Sequence, residues 1–368
     1  MTPLALALLP GAVTLVLSAV LPYVVRPLLV RLGIMDVPNE RSSHDRPVLR
    51  GLGLAVLIAI AVGGGLGVWL LASPAGSTWT LLLVVVGGTV AAGLLGLRED
   101  LRGLSVGARS AWLLGIAATT AILLTWIASR PSGAAFPWVL GLDVTALPLW
   151  LLVLLCVYAV LFISSYINVA NFMDGLNGIS GFHGVIAGVT FAIAGWWVGA
   201  IWLALAGAVI AAGFAGFLPW NLTKPGAFLG DVGSYLLGGA VAVTSFAALV
   251  TGVPLLATIG PMVIYFGDVG VTLVKRVRAG HKWDEPHKEH VYQRIQQLGY
   301  SHVQASGITA LCTLTTSLLG LGSLFTSLFG TLALLVAGLA VLVFYLLLPR
   351  LLPARHARVA STPPAVSE

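Results

Sequence analysis

The acidic residues of this 368-residue chain gather at the ends of apolar runs, often beside glycines. Glu99 and Asp100 close one run, Asp174 follows another, Asp231 opens a third, and Asp268 lies near the basic end of a fourth. Carboxylates at such depth are costly and need a partner, and several on one face repel each other. Mg²⁺, which proteins hold with one or two carboxylates plus substrate phosphates and water, would remove that repulsion. The pattern predicts a metal site for a phosphorylated substrate, with a merely solvated acidic rim as the open alternative.

Glycines accompany two of these carboxylates. In NVANFMDGLNGISG, residues 168–181, Gly175, Gly178 and Gly181 would let backbone amides approach a ligand and begin the next helix, whose N-terminus favours anions. The segment GDVGS places Asp231 and Ser234 at another helix start. An ordinary Asn/Gly turn and a simple N-cap are the alternatives for the two segments.

The longest polar stretch, residues 275–301, reads KRVRAGHKWDEPHKEHVYQRIQQLGYS. If Pro286 begins a helix, His287, His290 and Arg294 share one face and could hold a diphosphate. A basic loop that only follows the membrane charge bias is the alternative, and it is the preferred interpretation for the arginines and lysine at 275–278. The His pair has too few neighbouring ligands to indicate zinc.

Composition identifies the element type that must position these groups. The chain is 58% hydrophobic and 9% charged, with mean hydropathy +1.00. This excludes a soluble domain, and the absence of alternation excludes a lumen-lined barrel. We predict an all-α polytopic membrane protein of about eleven spans. The predicted spans are 4–30, 51–72, 79–97, 109–129, 148–167, 178–199, 201–218, 228–250, 253–275, 304–325 and 328–350.

Charge placement predicts the orientation. With the N-terminus outside, all but Arg130 of the 19 Lys and Arg residues and all but Asp143 of the 13 Asp and Glu residues fall on the cytoplasmic side. Residues 1–350 are expected to form one domain and 351–368 a disordered cytoplasmic tail. The expected cytoplasmic loops are 31–50, 98–109, 168–177, 219–228 and 276–303.

Two further features carry little function by themselves. The net charge of +6 is explained by the membrane charge bias, so no nucleic acid partner is expected. Cys156 and Cys312 both lie inside predicted spans and are expected to be packing residues.

Together these motifs resemble the polyprenyl-phosphate N-acetylhexosamine-1-phosphate transferase superfamily. The similar segments are DVPNERSSHDRPVLRGLGLAV, GLREDLRGLS, NVANFMDGLNGISG, FLGDVGS and PHKEHVYQRIQQLGYS, in family order. The third, an Asn-x-x-Asn-x-x-Asp-Gly-x-x-Gly motif, is the most specific. The match covers about residues 30–301.

The resemblance implies roles for the matching residues. It implies Mg²⁺, with Mn²⁺ as a substitute, on Asp231 and Asn171. Catalytic roles are expected for Asp100, Glu99 and Asp174. The remaining site residues, expected to bind substrate, are Gly175, Leu176 and Asn177 at the uracil, Arg109 and His290 near the diphosphate, and Arg294 and Asn168.

The activity that the resemblance implies is phosphoryl transfer from a UDP-N-acetylhexosamine to polyprenyl phosphate at the cytoplasmic face of the plasma membrane, with release of UMP. A homodimer is considered as the assembly. The sugar is left open. An inactive or scaffolding relative and a secondary transporter are the competing interpretations, although transporters carry such groups near the midplane in repeated halves.

Two departures from the family pattern are informative. Glu99 stands where the family has the first Asp of an Asp-Asp pair, which moves the carboxylate by one methylene, about 1.5 Å. Asp100 is therefore the preferred catalytic candidate. Tyr292 and Gln293 stand where members often carry His, which favours the branch that initiates O-antigen-type glycans over the pentapeptide translocase.

Overall fold

The structure is a computed structural model that describes residues 2–36, 48–72, 78–130, 143–223, 226–281 and 288–355. Several sequence predictions therefore fall wholly or partly outside the described residues. These are the loop 31–50 over 37–47, the helix start at Pro286 with His287, and the tail from 356 onward.

The described chain is helical apart from one short strand pair, β1 (Met35–Asp36) and β2 (Val48–Leu49), which is antiparallel. Three 3-10 turns cover Val144–Ala146, Gly260–Met262 and Ser323–Phe325. The helices are α1 (Pro3–Val20), α2 (Pro22–Arg31), α3 (Gly53–Leu71), α4 (Thr78–Arg102), α5 (Val106–Ala128), α6 (Leu149–Met173), α7 (Ile179–Trp197), α8 (Ile201–Leu222), α9 (Gly230–Val250), α10 (Leu255–Ile259), α11 (Val263–Arg278), α12 (Val291–Gln297), α13 (His302–Gly322) and α14 (Leu328–Leu351).

The predicted all-α membrane fold is confirmed. In the described ranges, ten helical segments are long and apolar enough to cross a membrane, α10 and α11 together forming one of them. The helices α1 and α2, bent by 41° at Leu21, make an eleventh if they are one span. The bend coincides with Pro22, which can begin a helix but cannot donate a backbone hydrogen bond within one.

The expected loops 98–109, 168–177, 219–228 and 276–303 each begin with residues that the structure places in a helix. Helix α4 runs past Glu99 and Asp100 to Arg102, and α6 runs through 168–173. Charged and amide side chains are tolerated in a helix. Helix α4 ends just before Gly103, which has φ +61°, and α6 ends at the cap residue Asp174, which Gly175 follows.

Helix α9 is the buried centre of the bundle and packs mainly on α4 and α6. Glycines permit this close approach. A methyl group at Gly96 of α4 would collide with the Asp231 carbonyl, and one at Gly238 of α9 would collide with the Ile167 backbone. Small residues at such crossings replace the hydrophobic driving force that lipid does not supply. The first turn of α9 is therefore pressed against the last turns of α4 and α6, where the acidic motifs lie.

Candidate functional site

The N-terminus of α9 is capped by a carboxylate from another helix. Asp100 Oδ1 accepts a hydrogen bond from the Asp231 amide at 3.1 Å and Oδ2 accepts one from the Val232 amide at 2.8 Å. The N-cap residue Leu229 provides no side-chain bond of its own. The Asp100 side chain is 1% exposed, so its charge acts at short range on the positive end of α9.

Arg50 joins this carboxylate to Asp231. Its Nε lies 3.0 Å from Asp100 Oδ1 and its Nη2 lies 2.8 Å from Asp231 Oδ2. A guanidinium that bonds two carboxylates compensates the repulsion between them. Arg50 was not singled out from the sequence, where it looks like one of many loop cations.

The third partner of Asp231 comes from α6. Asn171 Nδ2 donates to Asp231 Oδ1 at 2.9 Å and to the Ser234 hydroxyl at 2.9 Å. Asp231 itself is 19% exposed, so it is the more accessible of the two carboxylates that Arg50 contacts. The first turn of α9 is thus linked to α4 and α6 by side chains that are far apart in the sequence.

Asp174, just after α6, interacts electrostatically with Asp231 and Arg50. Burial raises the pKa of the Asp174 carboxyl to about 7, and the negative charge of Asp231 adds to the rise. The Ser180 hydroxyl, which donates to Oδ1 at 2.7 Å, and the positive charge of Arg50 both lower this pKa. A carboxyl with this pKa exchanges its proton near neutral pH, which suits a group that accepts or returns a proton.

Glu99 is held more loosely than its neighbour Asp100. Its Oε1 lies 3.8 Å from Arg109 Nη1 on α5, too far for a hydrogen bond, and its Oε2 is buried with no hydrogen-bond partner among the described residues. A buried acceptor without a protein partner is unusual in a folded protein, so this oxygen is open to a water, an ion or a ligand.

The segment 174–178 is a tightly held turn. Gly178 has φ +91°, a conformation that residues with side chains rarely adopt, and its amide donates to Asn221 Oδ1 of α8. Asn177 donates to the Asn221 carbonyl and bonds His302 Nδ1 at 3.0 Å. Leu176 is 3% exposed. These contacts show the turn anchored to α8 and α13, and contact with uracil stays a prediction.

The histidine segment forms a second group. His290 is the N-cap of α12, which begins at Val291, and its Nδ1 lies 3.1 Å from Asp268 Oδ1 on α11. Asp268 is fully buried and also accepts from the Val291 amide at 3.0 Å and from the Tyr345 hydroxyl of α14 at 2.8 Å. Asp268 therefore holds α12 in place between α11 and α14.

Tyr292 connects this second group to the turn after α6. Its hydroxyl donates to the Phe172 carbonyl at 3.0 Å, and a side chain at Gly175 would collide with that hydroxyl. Burial raises the pKa of the Tyr292 hydroxyl well above its usual value, so it remains a donor. The tyrosine that departs from the family pattern thus packs against Gly175 and the end of α6, within the segment 168–181.

The positions of the two remaining predicted residues say less about function. Asn168 lies one turn before Asn171 on α6 and donates to the Ser164 carbonyl at 2.9 Å. Arg294 is half-buried on α12. Sequence reasoning missed Arg50, Asn221 and Tyr345; only Asn221 carries a signal, as an amide in the last turn of an otherwise apolar helix.

The donor set can be tested for a divalent cation. Among the described residues, no three His, Cys, Asp or Glu side chains are grouped so as to hold a metal. A Mg²⁺ site that uses phosphate and water as ligands does not need such a group. Asp231 supplies a partly exposed carboxylate, and Asn171 supplies an amide oxygen once its amide, whose nitrogen now faces Asp231, is rotated. The oxygen donors present therefore fit Mg²⁺.

Comparison with known proteins gives the family. Residues 82–249 match the model of glycosyl transferase family 4. The chain is 30% identical over 309 residues to a decaprenyl-phosphate N-acetylglucosaminephosphotransferase of Mycobacterium tuberculosis, covering 76% of this chain and 72% of the relative. It is 26% identical over 296 residues to a probable undecaprenyl-phosphate N-acetylglucosaminyl 1-phosphate transferase of Bacillus subtilis, covering 79% and 77%.

A phospho-N-acetylmuramoyl-pentapeptide-transferase of Desulforamulus reducens is 29% identical over 245 residues, 63% of this chain and 71% of the relative. Helices α4 to α9, which bring Asp100, Asn171 and Asp231 together, lie almost wholly inside the matched family region. The chain therefore belongs to glycosyl transferase family 4, within the polyprenyl-phosphate hexosamine-1-phosphate transferase superfamily.

Proposed function

We propose that the protein transfers an N-acetylhexosamine-1-phosphate from a UDP-sugar to a polyprenyl phosphate such as undecaprenyl phosphate. The products are polyprenyl-diphosphate-sugar and UMP, and the reaction begins the synthesis of a cell-envelope glycan. The single observation that carries the proposal is the network of Asp231, Asp100, Arg50 and Asn171 at the start of α9. It lies at an end of an apolar bundle, where a lipid-linked phosphate can meet a water-soluble nucleotide sugar.

The bond changes are those of a phosphoryl transfer. An oxygen of the polyprenyl phosphate attacks the β-phosphorus of the UDP-sugar, and the bond from that phosphorus to the oxygen bridging it to the α-phosphorus breaks. UMP leaves with that oxygen and the electron pair. The second pKa of a phosphomonoester lies near 6, so the attacking oxygen is largely ionised at neutral pH and needs no strong base.

The chain's own residues position charge around this transfer. Asp100, Glu99 and Asp174 are proposed as the catalytic carboxylates: Asp100 orders the site through α9, Glu99 has an unused buried oxygen, and Asp174 can hold a proton near neutral pH. Mg²⁺ held by Asp231 and Asn171 would neutralise the diphosphate and the departing UMP, and Mn²⁺ could replace it. Substrate contacts are proposed for Gly175, Leu176, Asn177, Arg109, His290, Arg294 and Asn168.

We also propose that this face of the bundle lies in the cytoplasm at the inner (plasma) membrane, with the N-terminus outside. The distribution of basic residues supports this orientation. The same proposal treats 1–350 as one transferase domain and keeps the homodimer as a hypothesis. UDP-N-acetylhexosamine then arrives from the cytoplasm while the lipid substrate stays in the bilayer.

The test uses the purified full chain in detergent with Mg²⁺, undecaprenyl phosphate and a panel of UDP-N-acetylhexosamines. Release of UMP together with a lipid-linked sugar is the expected result, and chelation of the cation should abolish it. Release of UDP would mean direct glycosyl transfer and would refute phosphoryl transfer. No product from any sugar, although the folded protein binds the nucleotide, would favour the inactive-relative interpretation.

A further inference from the structure

Backbone hydrogen bonds fix the position of Arg50, in addition to the contacts of its side chain. The Arg50 amide donates to the Ile34 carbonyl, and the residues on either side of it bond the segment that precedes α9: Phe228 donates to Leu49, and Leu52 donates to Phe228. A side chain at Gly230 would collide with Gly51. The residue is therefore carried on a strand segment laid directly against the start of α9.

The guanidinium occupies oxygens that a metal on Asp231 would need. It bonds Asp231 Oδ2 at 2.8 Å and Asp100 Oδ1 at 3.0 Å, while the other Asp231 oxygen is bonded by Asn171. Arg50 cannot lose its charge at neutral pH. A divalent cation beside the same carboxylate would therefore meet strong repulsion from it.

The Arg50 side chain is exposed enough to move away from Asp231. It is 38% exposed, in contrast to the buried Asp100 with which it pairs, so it can leave Asp231 without opening the core. Because its backbone stays clamped, a displaced guanidinium remains within a side chain's length of the site. Its planar set of donors matches phosphate oxygens.

We propose that Arg50 is an internal counter-ion that a divalent cation displaces from Asp231, and that the displaced guanidinium then binds the diphosphate of the nucleotide substrate. Arg50 thereby couples the two ligands: it weakens cation binding in the absence of the diphosphate and contributes a diphosphate contact once the cation is bound. The inference rests on the proposed function, because it takes Asp231 as the metal ligand.

The experiment measures Mn²⁺ binding directly, by the loss of the free-ion electron paramagnetic resonance signal on titration of the purified full chain. Wild type, Arg50→Gln and Arg50→Lys are compared without nucleotide and with saturating UDP. Arg98→Gln is the matched control, because it removes one positive charge from the same end of α4, whereas the Arg98 side chain donates to the Gly103 carbonyl and is not among the proposed site residues.

We expect Arg50→Gln to bind Mn²⁺ about tenfold more tightly than wild type without nucleotide, since a charge-assisted hydrogen bond no longer has to be broken. UDP should strengthen Mn²⁺ binding in wild type and do so much less in Arg50→Gln. Arg98→Gln should change the affinity without nucleotide by less than about threefold. Arg50→Lys keeps one charged donor and should fall between wild type and Arg50→Gln, so it tests the displacement even if the glutamine variant does not fold.

Unchanged or weaker Mn²⁺ binding in both Arg50 variants would overturn the displacement while leaving the proposed transferase activity intact. An equal increase in Arg50→Gln and Arg98→Gln would overturn it as well, because it would show only a general effect of charge. Wild-type Mn²⁺ binding that does not change in Asp231→Asn would overturn this inference together with the metal assignment of the proposed function.

Discussion

Asp100→Asn and Glu99→Gln should separate structural from catalytic use of the two neighbouring carboxylates. Asparagine keeps the shape of Asp100 but turns one acceptor oxygen into an NH₂ group, so one of the two α9 amides loses its acceptor and Arg50 loses an ion partner. The buried Oε2 of Glu99 has no hydrogen-bond partner in the part of the chain that the structure describes, and its Oε1 lies 3.8 Å from Arg109 Nη1. Neutralising Glu99 therefore costs little contact energy.

The magnitudes follow from these contacts. A hydrogen bond to a charged group contributes about 1.5–3 kcal/mol. In domains of 150–250 residues each kcal/mol shifts the melting temperature by about 2–4 °C, so Asp100→Asn should melt about 5 °C lower. Its turnover should fall about 100-fold or more, because both the site charge and the placement of Asp231 change. Glu99→Gln should melt within about 1 °C of wild type and lose less activity than Asp100→Asn.

The assay is UMP release paired with thermal unfolding in the same detergent. Asp143→Asn is the control, because this exposed carboxylate accepts from the amide and the hydroxyl of the nearby Thr145 and lies outside the site. A wild-type melting temperature for Asp100→Asn would refute the capping role. If Glu99→Gln is inactive and Asp100→Asn is nearly normal, the catalytic assignment is reversed and the longer carboxylate is the one that reaches the reaction centre.

Three further outcomes are expected. Asp231→Asn should lose activity by orders of magnitude and weaken Mn²⁺ binding while remaining folded; retained activity would exclude it as the metal ligand. In a background without native cysteines, Arg278→Cys should react with an impermeant thiol reagent only from the cytoplasm and Arg130→Cys only from outside, and the reverse pattern would overturn the orientation. Asp268→Asn should lower the melting temperature more than Tyr345→Phe, which removes the hydrogen bond to Asp268 and a long contact with the Thr309 hydroxyl and should cost about 1–2 kcal/mol; an inverted order would contradict the anchoring of α12 by Asp268.

The sequence by itself determined the membrane class, the approximate spans and the clustering of Asp100, Asn171 and Asp231 in recognisable motifs. Hydropathy predicts the depth of a residue in the membrane, because the apolar length of a span must match the thickness of the bilayer. Hydropathy was less accurate in locating the ends of α4 and α6. Polar side chains do not stop a helix, whereas the glycines that follow them do.

Only the tertiary structure decided which side chains meet. Asp100 and the α9 amides are separated by more than 130 positions, and Asp268 and Tyr345 by 77. Periodicity assigns a residue to a depth and a face of its own helix, but it does not say which neighbouring helix that face touches. That choice depends on glycine contacts such as Gly96 against Asp231, which set how closely and at what height α4 and α9 pack. For the same reason Arg50 looks like an ordinary loop cation in the sequence, and only packing places it between two carboxylates.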